Sequence, residues 1–312
     1  MRGFIAVTDP SWYERLLSLS SKLGQSIAAN LWRPSSRRVP LPMGTPFLFK
    51  LRAPANAIAG FGYFVSFSVL PDWLAWETFG EANGVAGLDE LRTRLRRIRE
   101  GARIEADPQG RIGCSLVAEA TFFTQHEWVP APSDWKPRTQ TGATFDLAAG
   151  EGLRVWNECL ARVGRVAPTP NESAGTAEAP RYGSPTMYLP RLGQGIFRVQ
   201  VLDAYERACA ITQEHSLVVL DAAHLRPYAA GGSHDVCNGL ALRTDLHKLF
   251  DRGYVTVDEN MRFVVGRRLK TDFDNGRSYY ELHGRTMSLP SDAALRPASD
   301  ALGWHRENAF LG

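Results

Sequence analysis

Residues 221–253 read DAAHLRPYAAGGSHDVCNGLALRTDLHKLFDRG. This stretch holds three of the chain's seven histidines, together with a Gly-Gly loop and an Asn-Gly pair. The β-branched run before it, SLVVLDAAHL, predicts a strand, CNGLALR a second strand, and TDLHKLFDRG a short helix. Thr244 is placed to cap that helix and Gly253 to stop it. A strand–loop–strand–helix unit sets His224 near the end of the first strand, Asn238 at the start of the second, and His247 about one turn into the helix. Asp251 lies four residues beyond His247, on the same helical face.

These residue types suit the hydrolysis of a phosphodiester. The reaction needs an activated water, positive charge at the phosphate, and stabilisation of the leaving 3′ oxygen. A near-neutral imidazole on a rigid strand can take the water's proton, and N and O ligands can hold a divalent ion with open positions. An amide such as Asn238 can tie the loop backbone together and aim His224. His215 and His234 read as ordinary loop residues.

A-A-H-L-x-P-Y, N-G-L-x-L-R and D-L-H-x-L-F-D-R-G together resemble the HNH nuclease motif in its ββα-metal form. The flanking G-Q-G-x-F-R and R-A-C-A-I-T resemble one HNH subfamily of bacterial restriction enzymes, over roughly residues 190 to 265. The resemblance implies His224 as general base, Asn238 as loop tether and His247 as metal ligand. Many HNH enzymes carry a metal-binding Asp or His just before the base, where this chain has Ala223. Asp221 is the nearest substitute, but in a regular strand it points away from His224 unless the strand bulges. Asp251 is the other candidate carboxylate. Mg²⁺ or Mn²⁺ is the expected cofactor, with Ni²⁺ or Co²⁺ as alternatives, and Arg243 and Lys248 are candidate phosphate contacts.

Beyond the motif, residues 162–186, RVGRVAPTPNESAGTAEAPRYGSPT, are rich in Pro, Gly, Ala, Ser and Thr and predict a linker. About 20 such residues span roughly 25 Å as a coil. The chain of 312 residues thus divides into 1–160, a linker over 161–186, and a nuclease domain over 187–312. The first part reads as mixed α and β. GTPFLFKL, YFVSFSVL and RIGCSLVAEATFF predict strands, the last entered from a turn at Asp107–Gly110. In GLDELRTRLRRIREG, Leu88, Leu91, Leu95 and Ile98 make an apolar helical stripe, and Arg92 and Arg96 belong to a basic face suited to DNA phosphates.

The stretches FLFKLRAPANAIAGFGYFVSFS, DWLAWETFGEANG and RIGCSLVAEATFF resemble PUA-like modified-base readers, especially the SRA type. The likeness covers about residues 45–148 and implies an α+β fold, a β-barrel with helices, that flips a base out of duplex DNA. Tyr63, Trp73 and Trp76 are then candidates to stack the base, and Asn56, Ser68 and Asp72 to address its edge.

Composition agrees with this and narrows little. With 44% apolar and 22% charged residues and a net charge of +3, the chain is an ordinary globular protein that permits a nucleic-acid partner. The four cysteines form no C-x-x-C pair, which argues against zinc knuckles and a disulfide framework and for free thiols. The absence of an apolar signal or membrane-spanning run points to a bacterial cytoplasmic protein. The expected partner is double-stranded DNA carrying modified bases. One HNH site cuts one strand at a time, so a double-strand break calls for two sites, two encounters or a homodimer. A nuclease of different specificity and a non-catalytic DNA-binding protein remain the alternatives.

Overall fold

The computed structural model describes residues 1–37, 40–166 and 188–312 and divides into two units, Met1–Leu189 and Pro190–Gly312. The first unit is built on β1 (Arg2–Thr8), β2 (Ile27–Arg33), β3 (Pro46–Leu51), β4 (Ala57–Pro71), β5 (Arg111–Phe122), β6 (Val129–Pro130) and β7 (Gly142–Asp146). Around these lie α1 (Pro10–Leu23), α2 (Asp72–Phe79), α3 (Leu88–Ala102) and α4 (Gly150–Val166). The sheet runs β2-β5-β4-β3-β1-β7, with β6 against β4. β1 and β3 are parallel, in register from Phe4 opposite Phe47 to Thr8 opposite Leu51, and the other pairs are antiparallel.

Both faces of the sheet are covered, which is why its central strands are apolar throughout instead of alternating. On one face Trp12, Tyr13, Leu16 and Leu19 of α1 pack over Phe47, Phe49, Phe64 and Phe122. On the other, Val155, Trp156 and Cys159 of α4 pack over Ile5, Leu48, Ile58 and Phe61. α1 begins where Asp9 accepts from the Ser11 amide, with Pro10 in the first turn.

Two expectations need correction. The sheet is open where a barrel was expected: β2 and β7 are its ends, and no ladder joins them among the described residues. The Arg33 guanidinium crosses that gap instead, donating to the Thr141 carbonyl at 3.1 Å. In addition, α4 continues to Val166, so the helix takes up the first residues assigned to the linker. The rest of the linker, from 167 onward, lies outside the described residues.

The second unit contains α5 (Tyr188–Ala204), β8 (Leu220–His224), β9 (Gly239–Arg243), α6 (Thr244–Asp251), β10 (Val255–Val257), β11 (Phe263–Val265), α7 (Arg268–Phe273), α8 (Arg277–Tyr280) and α9 (Ser299–Asn308). β8 and β9 form one antiparallel hairpin and β10 and β11 another. Phe197, Val201, Leu240, Leu242, Leu246, Phe250 and Phe263 share the core.

α9 closes over α6. His305, 2% exposed, is hydrogen-bonded to the Phe250 carbonyl at 3.1 Å and to Thr256 Oγ1 at 2.9 Å, and its ring stacks on Phe250. Gly253 ends the helical segment in a left-handed conformation (φ +76°), and a Cβ there would lie 2.0 Å from the Ala309 carbonyl. Only glycine fits. Thr244 is the first helical residue and not the cap, because its hydroxyl donates to the Val219 carbonyl at 3.0 Å.

Candidate active site

The β8–β9 ladder is regular from Leu220 opposite Arg243 to His224 opposite Gly239. With no bulge, Asp221 and His224 stay on opposite faces of β8. Each therefore meets different partners. Asp221 turns to α6, where its Oδ2 lies 3.0 Å from His247 Nδ1. The other ring nitrogen of His247 is 3.2 Å from Asp251 Oδ2, so the imidazole sits between two carboxylates. On the far side of Asp221, Arg198 of α5 approaches Oδ1 at 3.5 Å and donates to the Leu220 carbonyl at 2.9 Å.

His224 instead stacks on Phe197 of α5, with centroids 3.9 Å apart and planes 14° apart. Its Nε2 lies 3.2 Å from His234 Nδ1. His234 in turn stacks on Tyr228, 5.2 Å between centroids. Reading His234 as an ordinary loop residue is thus overturned. GGSHD carries no apolar pattern that would set its histidine against a strand ten residues upstream, and only the closed loop brings them together.

Asn238, 5% exposed, closes that loop. Its Oδ1 accepts from the Arg226 amide at 2.9 Å, and its Nδ2 donates to the carbonyls of Arg226 at 2.9 Å and Ser233 at 2.8 Å. Gly232 permits this approach: a Cβ there would lie 1.9 Å from the Arg226 carbonyl and 2.9 Å from Asn238 Nδ2.

The electrostatics separate the two histidines. Burial, with the nearby His234 and His247, pushes His224 down to about 4, leaving a neutral imidazole. Burial also pulls His247 down, but hydrogen bonds to Asp221 and Asp251 prevail and raise it to about 9. Asp221 is lowered: burial opposes ionisation, and His247 and Arg198 outweigh it. One ring is thus kept neutral, with a lone pair on one nitrogen, while two carboxylates favour the protonated form of the other. Among the described residues no three carboxylate, imidazole or thiol donors form a ready-made metal pocket. Asp221, His247 and Asp251 are nonetheless N and O donors of the kind Mg²⁺, Mn²⁺, Ni²⁺ or Co²⁺ takes.

The candidate phosphate contacts differ in availability. Lys248 is exposed on α6, whereas Arg243 is engaged by Asp245 through contacts of 2.9 and 2.6 Å.

The expected base pocket does not assemble as one group. Asn56 and Asp72 flank opposite ends of β4, a path of roughly 50 Å along its 15 residues. Asn56 accepts from the buried Lys50 ammonium at 3.1 Å. Tyr63 packs edge-on to Phe61 within the α4-side core. Ser68 is buried late in β4. Asp72, Trp73 and Trp76 share α2, both tryptophans half-buried, and Asp72 is clamped by Arg92 at 2.9 and 3.2 Å. Arg96 is exposed on α3 and lines a groove of about 630 Å³ with Arg92, Arg99 and Arg103 and with the acidic Asp72, Glu100 and Glu105.

The model of the HNH endonuclease family matches residues 209–258, the interval holding His224, Asn238 and His247. Residues 209–258 are an HNH endonuclease domain. No curated protein matches the chain. Among solved structures, an ASCH protein from Zymomonas mobilis is 14% identical over 50% of this chain and 94% of its own, with a TM-score of 0.35. A single-residue variant of it gives 13%, 53%, 97% and 0.33. A structure described as the modification-dependent TagI restriction endonuclease is 11% identical over 86% of this chain and 62% of its own, at 0.30. No helix among the described residues is long and apolar enough to cross a membrane.

Proposed function

We propose that the chain is a modification-dependent DNA endonuclease of the type IV restriction kind. Its HNH domain hydrolyses phosphodiester bonds, and its N-terminal unit, a PUA-like reader, selects DNA carrying 5-methylcytosine or 5-hydroxymethylcytosine. The observation that carries the nuclease reading is the pairing, on one hairpin and helix, of a neutral imidazole at His224 with the Asp221–His247–Asp251 cluster. His224 takes the proton of the attacking water through the nitrogen that does not face His234. Cleavage of the P–O3′ bond then leaves 5′-phosphate and 3′-hydroxyl ends. His247 with the carboxylate beside one of its ring nitrogens, Asp221 or Asp251, would hold a divalent ion, Mg²⁺ or Mn²⁺ first. When bound, the ion supplies positive charge to the phosphate and the leaving 3′ oxygen. An ion on one ring nitrogen of His247 leaves the other nitrogen's carboxylate to orient the ring. Lys248 meets the phosphate backbone.

The reader reading is supported by the N-terminal unit folding around its own core and by the α3 groove, whose four arginines outnumber Asp72, Glu100 and Glu105 and can meet a phosphate backbone. Trp73 and Trp76 on α2 are its best-placed stacking groups. The division is a reader ending with α4, a linker to about residue 186, and the nuclease beyond. The test is plasmid nicking by the full chain with Mg²⁺ or Mn²⁺, on DNA bearing cytosine, 5-methylcytosine or 5-hydroxymethylcytosine. Cleavage confined to a modified plasmid is expected. Equal cleavage of all three would remove the reader, and no cleavage of any would remove the nuclease.

A further inference from the structure

We infer that His234 is a positioning residue for the general base, holding His224 in the one tautomer that can accept a proton from water. The inference deepens the nuclease reading and rests on it. The geometry begins with His224 Nε2, which faces His234 Nδ1 at 3.2 Å. A neutral imidazole carries one N–H, and only one hydrogen can lie between those two nitrogens. If His234 donates it, the remaining hydrogen of His224 sits on Nδ1 and the ring has no free lone pair for water. If His224 donates it, Nδ1 is bare and the ring is a base. His234 therefore acts as the acceptor, with its own hydrogen on Nε2.

The surroundings hold this arrangement on both sides. Phe197 stacks on the His224 ring and Tyr228 on the His234 ring, so neither imidazole turns freely. Asn238 fixes the Ser233 carbonyl, one residue before His234, which makes the loop tether also the anchor of the acceptor. When Nδ1 takes the water's proton, both His224 nitrogens carry hydrogen. The bond from Nε2 to the His234 acceptor then becomes charge-assisted and stronger.

Two substitutions in the full chain separate acceptance from packing. His234→Phe keeps a ring against Tyr228 and removes the acceptor. His234→Asn removes the ring and keeps an acceptor oxygen near the place of Nδ1. Single-turnover cleavage of plasmid DNA is expected to fall roughly 10–100-fold in the Phe variant with KM little changed, the loss typical of a removed orienting partner. The Asn variant should recover most of that loss. The opposite order, Phe active and Asn impaired, would overturn the inference in favour of ring packing. A second readout is independent of cleavage. In metal-free protein, ¹⁵N NMR should show the His224 hydrogen on Nε2 and, in His234→Phe, a redistribution toward Nδ1. A wild-type His224 protonated on Nδ1 would overturn it too. Should the wild type cut no DNA, the nuclease reading fails and the NMR result alone decides the tautomer.

Discussion

Replacing Asn238 by Ala tests whether one amide organises the whole loop. The substitution removes an acceptor from the Arg226 amide and a donor from the carbonyls of Arg226 and Ser233. Each such bond is worth about 1 kcal/mol net, and a buried group left unpaired costs about 1–3 kcal/mol. Because Asn238 is 5% exposed, the expected loss is roughly 3 kcal/mol, within the roughly 5–15 kcal/mol of a typical domain. The unit should stay folded while residues 226–234 loosen. Hydrogen exchange would show this as faster exchange at Arg226, with the β8–β9 ladder still protected. Cleavage should slow, because His234 moves with Ser233, while metal affinity at His247 persists. Asn238→Asp sharpens the test. A carboxylate keeps the acceptor but faces two carbonyls, so at pH 7 it should destabilise at least as much as Ala and recover on acidification. An Ala variant with unchanged exchange and rate would refute the tethering role, and global unfolding would show that the amide holds up the entire domain.

Three further outcomes are expected. His224→Ala should lower cleavage by about 10²–10⁴-fold with DNA affinity retained, measured by nicking and mobility shift; wild-type cutting would remove His224 from the chemistry. In EDTA, the second unit should be most stable near pH 6.5. His247 is raised to about 9, so its stabilisation, roughly 3 kcal/mol at most, is complete below pH 6.5 and lost as pH rises through about 9. His224 is depressed to about 4, so its contribution is complete above pH 6.5 and lost as pH falls through about 4. Asp221→Asn and Asp251→Asn should flatten the alkaline slope in thermal melts, and an unflattened slope would place its origin elsewhere. Finally, Arg96→Ala should weaken binding of modified and unmodified duplexes alike and reduce its salt dependence, whereas Trp76→Ala should reduce discrimination at unchanged circular dichroism. Salt slopes that do not move would take α3 off the DNA path.

The nuclease hairpin and helix were legible because each element carries its own local signature. LDAAH and GLALR are short apolar strands, TDLHKLFD has helical spacing, and Gly253 marks the stop. The two carboxylates around His247 were nameable for a similar reason, one being four residues away on its helix. What stayed hidden depends on tertiary closure. His234 and Arg198 reach β8 from a loop and from another helix, at spacings no periodicity announces. β1 and β2 are buried on both faces, so their sequences lack the alternation that marks a strand. The base-pocket candidates divide along the chain instead of gathering, for the opposite reason. Residues 56–76 are near one another in sequence, yet a single long strand separates Asn56 from Asp72. Asp72 and Arg92 were given separate tasks on DNA, and the fold makes them partners of each other.

The clasp of α9 on α6 has a consequence for the newly made chain. Every residue of the nuclease motif emerges from the ribosome before Ser299 does. The helix bearing His247 and Asp251 nevertheless gains its His305 contacts, and Gly253 its bond from the Leu311 amide, only when that later segment arrives. A chain interrupted before Ser299 would carry the complete motif without its brace. The packing around the helix that bears His247 and Asp251 is thus completed only by residues made last among those it touches.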